Sequence, residues 1–202
     1  MICARRHPVA SSTRHHCRHW LLATASLMAG SAASAADVEV GLSAGIDTGR
    51  VDCVASAPCD RRSNHVKLSA AYRLGEATDV QLTVFNAGKF EGGDTTPLGT
   101  EFGGTFKVSG VALSAGYRWD IAPSWRLRAH AGLASVRTSF DYINPVWGSA
   151  SQSNVQPLVG LGLAYAVSPT LRLGLDADLT RFKVHTTRGP VRMLGLAAQF
   201  SF

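Results

Sequence analysis

Beyond its N-terminal region, the 202-residue sequence lacks any apolar run of about 18 residues, the length a helix needs to cross a bilayer. Any membrane contact must therefore be made by strands. Acidic residues are also scarce, at 14 against 20 Lys and Arg, and none lies in the first 36 positions. Cysteine is limited to Cys3, Cys17, Cys53 and Cys59, too few for a disulfide-built scaffold.

The acid-free start has the order of an export signal. Arg5, Arg6, Arg14 and Arg18 form a basic head, and Trp20–Gly30 is a short apolar core. Ala33-Ser34-Ala35 then supplies an A-x-A cleavage motif before Ala36 and Asp37, so 1–36 is expected to be a signal peptide and 37–202 the mature domain. Removing it leaves sixteen basic residues against fourteen acidic ones, so the high isoelectric point is partly an export feature. No nucleic-acid partner is expected. Cys53 and Cys59 remain as a close pair, which an oxidising compartment makes a disulfide. A metal site would need about two more ligands, and His65 is the only nearby candidate, so neither metal nor cofactor is expected.

From Asp37 the dominant signal is period-two alternation. Val38, Val40, Leu42, Ala44 and Ile46 oppose Glu39, Gly41, Ser43, Gly45 and Asp47. The pattern recurs around Val66–Leu74, Asp79–Val84, Val111–Trp119, Trp125–Leu133, Val155–Val167, Leu171–Leu179 and Leu194–Phe202, predicting eight strands. Phe85 and Phe90 break the alternation of the third. Connections after the second, fourth and sixth strands are short. Those after the first, third, fifth and seventh are expected to be long, at 48–63 and roughly 91–105, 140–154 and 183–190. This is the pattern of an all-β, antiparallel, up-and-down transmembrane barrel.

Alternation does not say which phase faces out. A soluble, lipocalin-like barrel would turn its leucines inward. Three features favour lipid outside. The polar phase mixes Gly, Ala and Ser with Arg and Asp, which suits a narrow interior. Tyr72, Tyr117, Trp119, Trp125, Tyr165 and Phe200 all fall near the short turns or the C-terminus, as an interfacial girdle would. The chain also stops at Phe202, the end of a strand.

These residues bring a family into view. Over nearly all of Asp37–Phe202 the sequence resembles the eight-stranded transmembrane domain of OmpA-type outer membrane proteins. The resemblance is carried by CVASAPCDRRSNHVKLSAAYRL and by PLVGLGLAYAVSPTLRLGLDADLTRF with the closing GLAAQFSF. It implies a bacterial outer-membrane location, contact with outer membrane lipids and lipopolysaccharide, and Phe202 as the signal read by the barrel-insertion machinery. Gly195 lies further from the end than that signal usually places its glycine. The peptidoglycan-binding domain of full-length relatives does not follow the barrel, so no cell-wall anchor is expected.

The inward charged set is the main candidate site. Glu39, Arg73, Arg118, Arg126 and Arg172 lie near the short-turn end, with Lys67, Arg128, His130, Asp176 and Asp178 deeper. An eight-stranded interior is just filled by side chains, so these charges are expected to pair into an ionic plug. The alternative is a gate whose pairs rearrange to pass small ions. An outer-membrane lipid-modifying enzyme is a third reading, but His65, His130 and His185 show no G-x-S-x-G or H-x-S arrangement, and no catalytic residue is assigned. The long connections, with Tyr142, Trp147, Arg181, Lys183, Arg188 and Arg192, offer a surface for lipopolysaccharide phosphates or a host ligand. The expected role is structural and surface-interacting.

Overall fold

The computed structural model describes Asp37–Phe202, apart from residues 52, 54–57, 96–100, 145, 147, 185 and 186. The expected signal segment, Trp147 and His185 thus lie outside the described residues. The alternating segments form eight strands: β1 (Val38–Gly49), β2 (Arg62–Arg73), β3 (Thr78–Thr95), β4 (Glu101–Ala122), β5 (Trp125–Tyr142), β6 (Ser149–Ala166), β7 (Leu171–Val184) and β8 (Thr187–Ser201). Each pairs antiparallel with its sequence neighbours, and β1 closes on β8 from Glu39↔Ser201 to Gly49↔Val191. Closure satisfies the backbone ladder from within, the condition for a strand structure in hydrocarbon.

The leucines of the apolar phase point away from the axis. Leu196 is 71% exposed, Leu133 61% and Leu161 57%, and Leu173 and Leu175 share this outer face. Exposing so many large apolar side chains to water would cost roughly 1.5–3 kcal/mol each, whereas lipid rewards them. The lipocalin-like alternative requires the opposite phase. Tyr72, Tyr117, Trp119, Trp125, Tyr165 and Phe200 are all exposed at the short-turn end. Tyr117 and Trp119 lie 4.6 Å apart by ring centroids, and Trp125 and Tyr165 5.1 Å. Phe202 is also exposed, and its N–H donates to the Val38 carbonyl.

The long connections require correction. Only residues 50–61, after β1, remain a long connection; those after β3, β5 and β7 shrink to 96–100, 143–148 and 185–186. The segments read as loops are polar and rich in Gly, Ser and Thr, so they carry no lipid-facing stripe. Ladder pairing needs no such stripe and runs on through them, as in Glu91↔Thr105 and Phe140↔Ala150. As a result β3–β6 span 18 to 22 residues while β1 and β2 span 12. A tilted strand needs only about 9–11 to cross.

The irregularity at Phe85 and Phe90 is a β-bulge. The β3–β4 register shifts between Asn86 and Lys89, where Gly88 takes φ +69°. One extra residue there lets both Phe85 and Phe90 turn inward, although their spacing is odd.

Candidate functional site

The lumen holds an ionic layer in its short-turn half and an apolar layer towards the longer strands. In the ionic layer Asp79 on β3 receives two arginines. Arg128 Nε lies 3.2 and 3.1 Å from its two carboxylate oxygens, and Arg118 Nε lies 3.3 Å from one of them. Arg128 also donates from Nη1 to His130 Nδ1 at 3.0 Å. A guanidinium cannot accept, so Nδ1 is the acceptor and the proton sits on Nε2. His130 Nε2 then faces Asp178 at 2.9 Å.

Lys67 reaches from β2 to both Asp176 and Asp178 on β7. Asp176 also accepts from Ser43 Oγ at 2.8 Å. One connected chain of polar contacts therefore runs from Ser43 through Asp176, Lys67, Asp178, His130, Arg128 and Asp79 to Arg118. Burial makes its completeness matter, since an unpaired buried charge costs several kcal/mol.

Small residues make room for this chain. A Cβ on Gly116 would lie 2.5 Å from both Arg128 Nη2 and Asp79 Oδ1. One on Gly160 would land on Asp178 Oδ1 and lie 2.6 Å from His130 Nε2. Gly116 and Gly160 thus leave the space that these charged side chains occupy.

Nearer the short turns, pairing is looser than expected. Arg126 lies 3.9 Å from Glu39 and donates from Nε to the exposed Asp120 at 2.8 Å. Arg73 and Arg172 have no carboxylate partner within 4.0 Å among the described residues; Arg172 reaches only Ser201 Oγ, at 3.5 Å. The expectation that every lumen charge pairs fails for these two. Both are only partly buried, so solvent at the barrel mouth can hold their charge. Between this mouth and the Lys67 level lies a cavity of ≈ 60 Å³, bordered by Glu39, Gln81, Arg126 and Gln199. That is room for a few waters.

Above the ionic layer, Asp47 and His65 form a fully buried pair through His65 Nδ1. His65 Nε2 has no partner, and Ser43 Oγ is committed to Asp176, so no Ser–His–Asp relay is formed there. Over this pair sits the apolar layer: Phe85, Phe90, Phe106, Phe140, Phe182 and Met193 are all at most 2% exposed. Phe106 stacks 4.5 Å from Phe140 and 5.9 Å from Phe182 by ring centroids. Tyr142 packs against the cluster's edge.

Sequence reasoning missed this layer, because its phenylalanines occupy the polar phase or segments read as loops. It also missed Asp47 and Asp79 as partners. Asp79 shares the phase of Gln81 and Thr83, which is the signal that could have found it. Cys53 and Cys59 are joined by a disulfide across the connection between β1 and β2, with Cα atoms 5.5 Å apart. Among the described residues no group of three His, Cys, Asp or Glu side chains is arranged to hold a metal.

A closed eight-stranded barrel with leucines outside and ions within matches a known sequence family over residues 20–202, described as outer membrane protein beta-barrel domain. The chain belongs to that family. This outer-membrane barrel is similar in fold to neisserial surface protein A, at 16% identity and a TM-score of 0.61, covering 82% of this chain and 97% of the other. It is also similar to OprG from Pseudomonas aeruginosa, at 14% identity and a TM-score of 0.53, covering 83% and 97%. No curated protein matches the sequence.

Proposed function

We propose that this outer-membrane barrel is a closed scaffold that acts through its external surface, in membrane integrity, adhesion or host contact. The observation that carries this reading is the double filling of the lumen. Phe85, Phe90, Phe106, Phe140 and Phe182 close the bore above an ionic layer tied together by Lys67, Asp178 and Asp79. A conducting path would have to open both. The long β3–β6 wall supports the same reading, since its excess length stands above the apolar band and presents polar side chains outside.

Planar-bilayer recording tests it. The protein is expected to give no discrete conductance steps. Regular steps in the unmutated protein would replace this reading with that of a narrow ion channel, for which the solvated arginines at the mouth would be the selectivity element. Lipid A spectra from cells with and without the protein are expected to be the same; a changed lipid A would instead make it an enzyme. The proposal includes export with removal of residues 1–36 and recognition of Phe202 by the insertion machinery. The mass of the protein recovered from outer membranes tests the first, and a Phe202→Ala variant accumulating uninserted tests the second.

A further inference from the structure

At the short-turn mouth, guanidinium donors lack acceptors. Asp79 is taken by Arg118 and Arg128. Arg73 faces Asp79 directly across the β2–β3 ladder, yet it has no carboxylate within 4.0 Å among the described residues, and its Nε is buried without an acceptor. Arg126 Nη1 and Glu39 Oε2 are also buried and unpartnered. They lie 3.9 Å apart, too far for a hydrogen bond but near enough for one atom to bridge. The exposed Asp120 holds Arg126 only through Nε. The Arg126 and Glu39 side chains are 15% and 16% exposed, and they border the ≈ 60 Å³ cavity with Arg118 and the carboxamides of Gln81 and Gln199. The other carboxylates on that cavity, Asp176 and Asp178, are committed to Lys67.

The unmatched set is mixed: guanidinium N–H groups that need an acceptor stand beside a carboxylate oxygen that needs a donor. Sulfate or a carboxylate would satisfy the first and be repelled by the second, having no proton to give. Inorganic phosphate satisfies both. At neutral pH it keeps at least one P–OH, while its bare oxygens suit guanidinium forks. A phosphate monoester loses its last acidic proton near about pH 6, so at neutral pH it mostly lacks that donor. Size agrees, since at about 15 Å³ for each water-sized group the cavity has room for about four, as many as the oxygens of a tetrahedral oxyanion. The Asp47–His65 pair and the apolar layer close the bore above, so the cavity is reached from the short-turn end, the periplasmic end of such barrels. We propose that Glu39, Arg118 and Arg126, with Arg73 at their edge, form a binding site for inorganic phosphate on the periplasmic side of the lumen. Glu39 accepts a hydrogen bond from the P–OH, and the arginines donate to the remaining oxygens. This site goes beyond the closed-scaffold reading and does not depend on it, because binding at the mouth is the same whether or not the lumen conducts.

The protein, folded in detergent micelles at neutral pH and constant ionic strength, is titrated calorimetrically with inorganic phosphate, with sulfate and with glycerol 3-phosphate. Phosphate is expected to saturate a single site. Sulfate and glycerol 3-phosphate are expected to bind at least roughly tenfold more weakly, the worth of one hydrogen bond to a charged group. Glu39→Gln is expected to erase the preference for phosphate over sulfate, because the amide can donate where the carboxylate only accepts. Arg126→Gln is expected to weaken phosphate binding at least roughly tenfold. Lys107→Gln, at the far end of the barrel, should leave all three affinities unchanged. In the unmutated protein, no saturable phosphate binding would overturn the proposal without any variant. So would sulfate or glycerol 3-phosphate binding as tightly as phosphate. A phosphate preference that survives Glu39→Gln would overturn it as well, since the discriminating group would then lie elsewhere.

Discussion

Arg128 forks onto Asp79, with Nε between the two carboxylate oxygens at 3.2 and 3.1 Å, and so joins β5 to β3 across the intervening strand β4. A contact that skips a strand acts across the bore rather than along the wall. Replacing Asp79 by Asn should therefore leave both Arg128 and Arg118 short of a countercharge, with a loss of about 3–5 kcal/mol. Urea titration of the barrel in phospholipid vesicles, followed by tryptophan fluorescence, measures it.

Lys67 holds Asp176 and Asp178 together, so Lys67→Met should bring two facing carboxylates into a low-dielectric interior. A loss on the order of 3–5 kcal/mol is expected from the same titration. The triple change Lys67→Met, Asp176→Asn, Asp178→Asn should recover much of it, because the unpaired charges are removed together. A triple variant less stable than the single one would contradict this account.

The glycines of the polar phase are expected to differ sharply. Gly160→Ala places a methyl group on Asp178, whereas the nearest atom to a Cβ at Gly162 is 3.8 Å away. The first substitution should lower the unfolding midpoint and the second leave it nearly unchanged. Equal effects would mean that the glycines do not serve as space for the network.

Phe106→Ala removes the ring that touches both Phe140 and Phe182, and should cost about 3–5 kcal/mol as a cavity in the apolar layer. Leu196→Arg tests the outer face instead. It should cost about 2–4 kcal/mol if that position lies near the bilayer midplane, and almost nothing if the side chain meets water.

The disulfide predicts no mass gain on alkylation without reductant, and a gain at both Cys53 and Cys59 after reduction. Since it lies within the long β1–β2 connection, outside the eight strands, reduction should leave the barrel's unfolding midpoint in urea nearly unchanged.

Strand number, order and the outward phase were legible because one fact governs them: a side chain at every second position meets lipid. Leu173, Leu175 and Leu196 followed from that alone. Tyr72 and Trp125 were legible for the same reason, as amphipathic rings adjoining the short turns. The lumen was legible only as a set of charges. Which cation meets which anion depends on register between strands distant in sequence, so Asp79 and Asp47 were passed over. The apolar layer was hidden by an inverted rule, since Phe106, Phe140 and Phe182 occupy the phase that is polar lower down. The bulge at Gly88 hid Phe90 further by moving the count by one.

The seam between β1 and β8 has a consequence for biogenesis. The first strand synthesised takes as partner the last, across eleven paired positions from Glu39↔Ser201 to Gly49↔Val191. Until β8 exists, β1 presents an unsatisfied edge, and a partial ring would expose free amides to hydrocarbon. Ring closure must then await β8, which makes this a slow, non-local fold whose open edges need protection from aggregation until they pair.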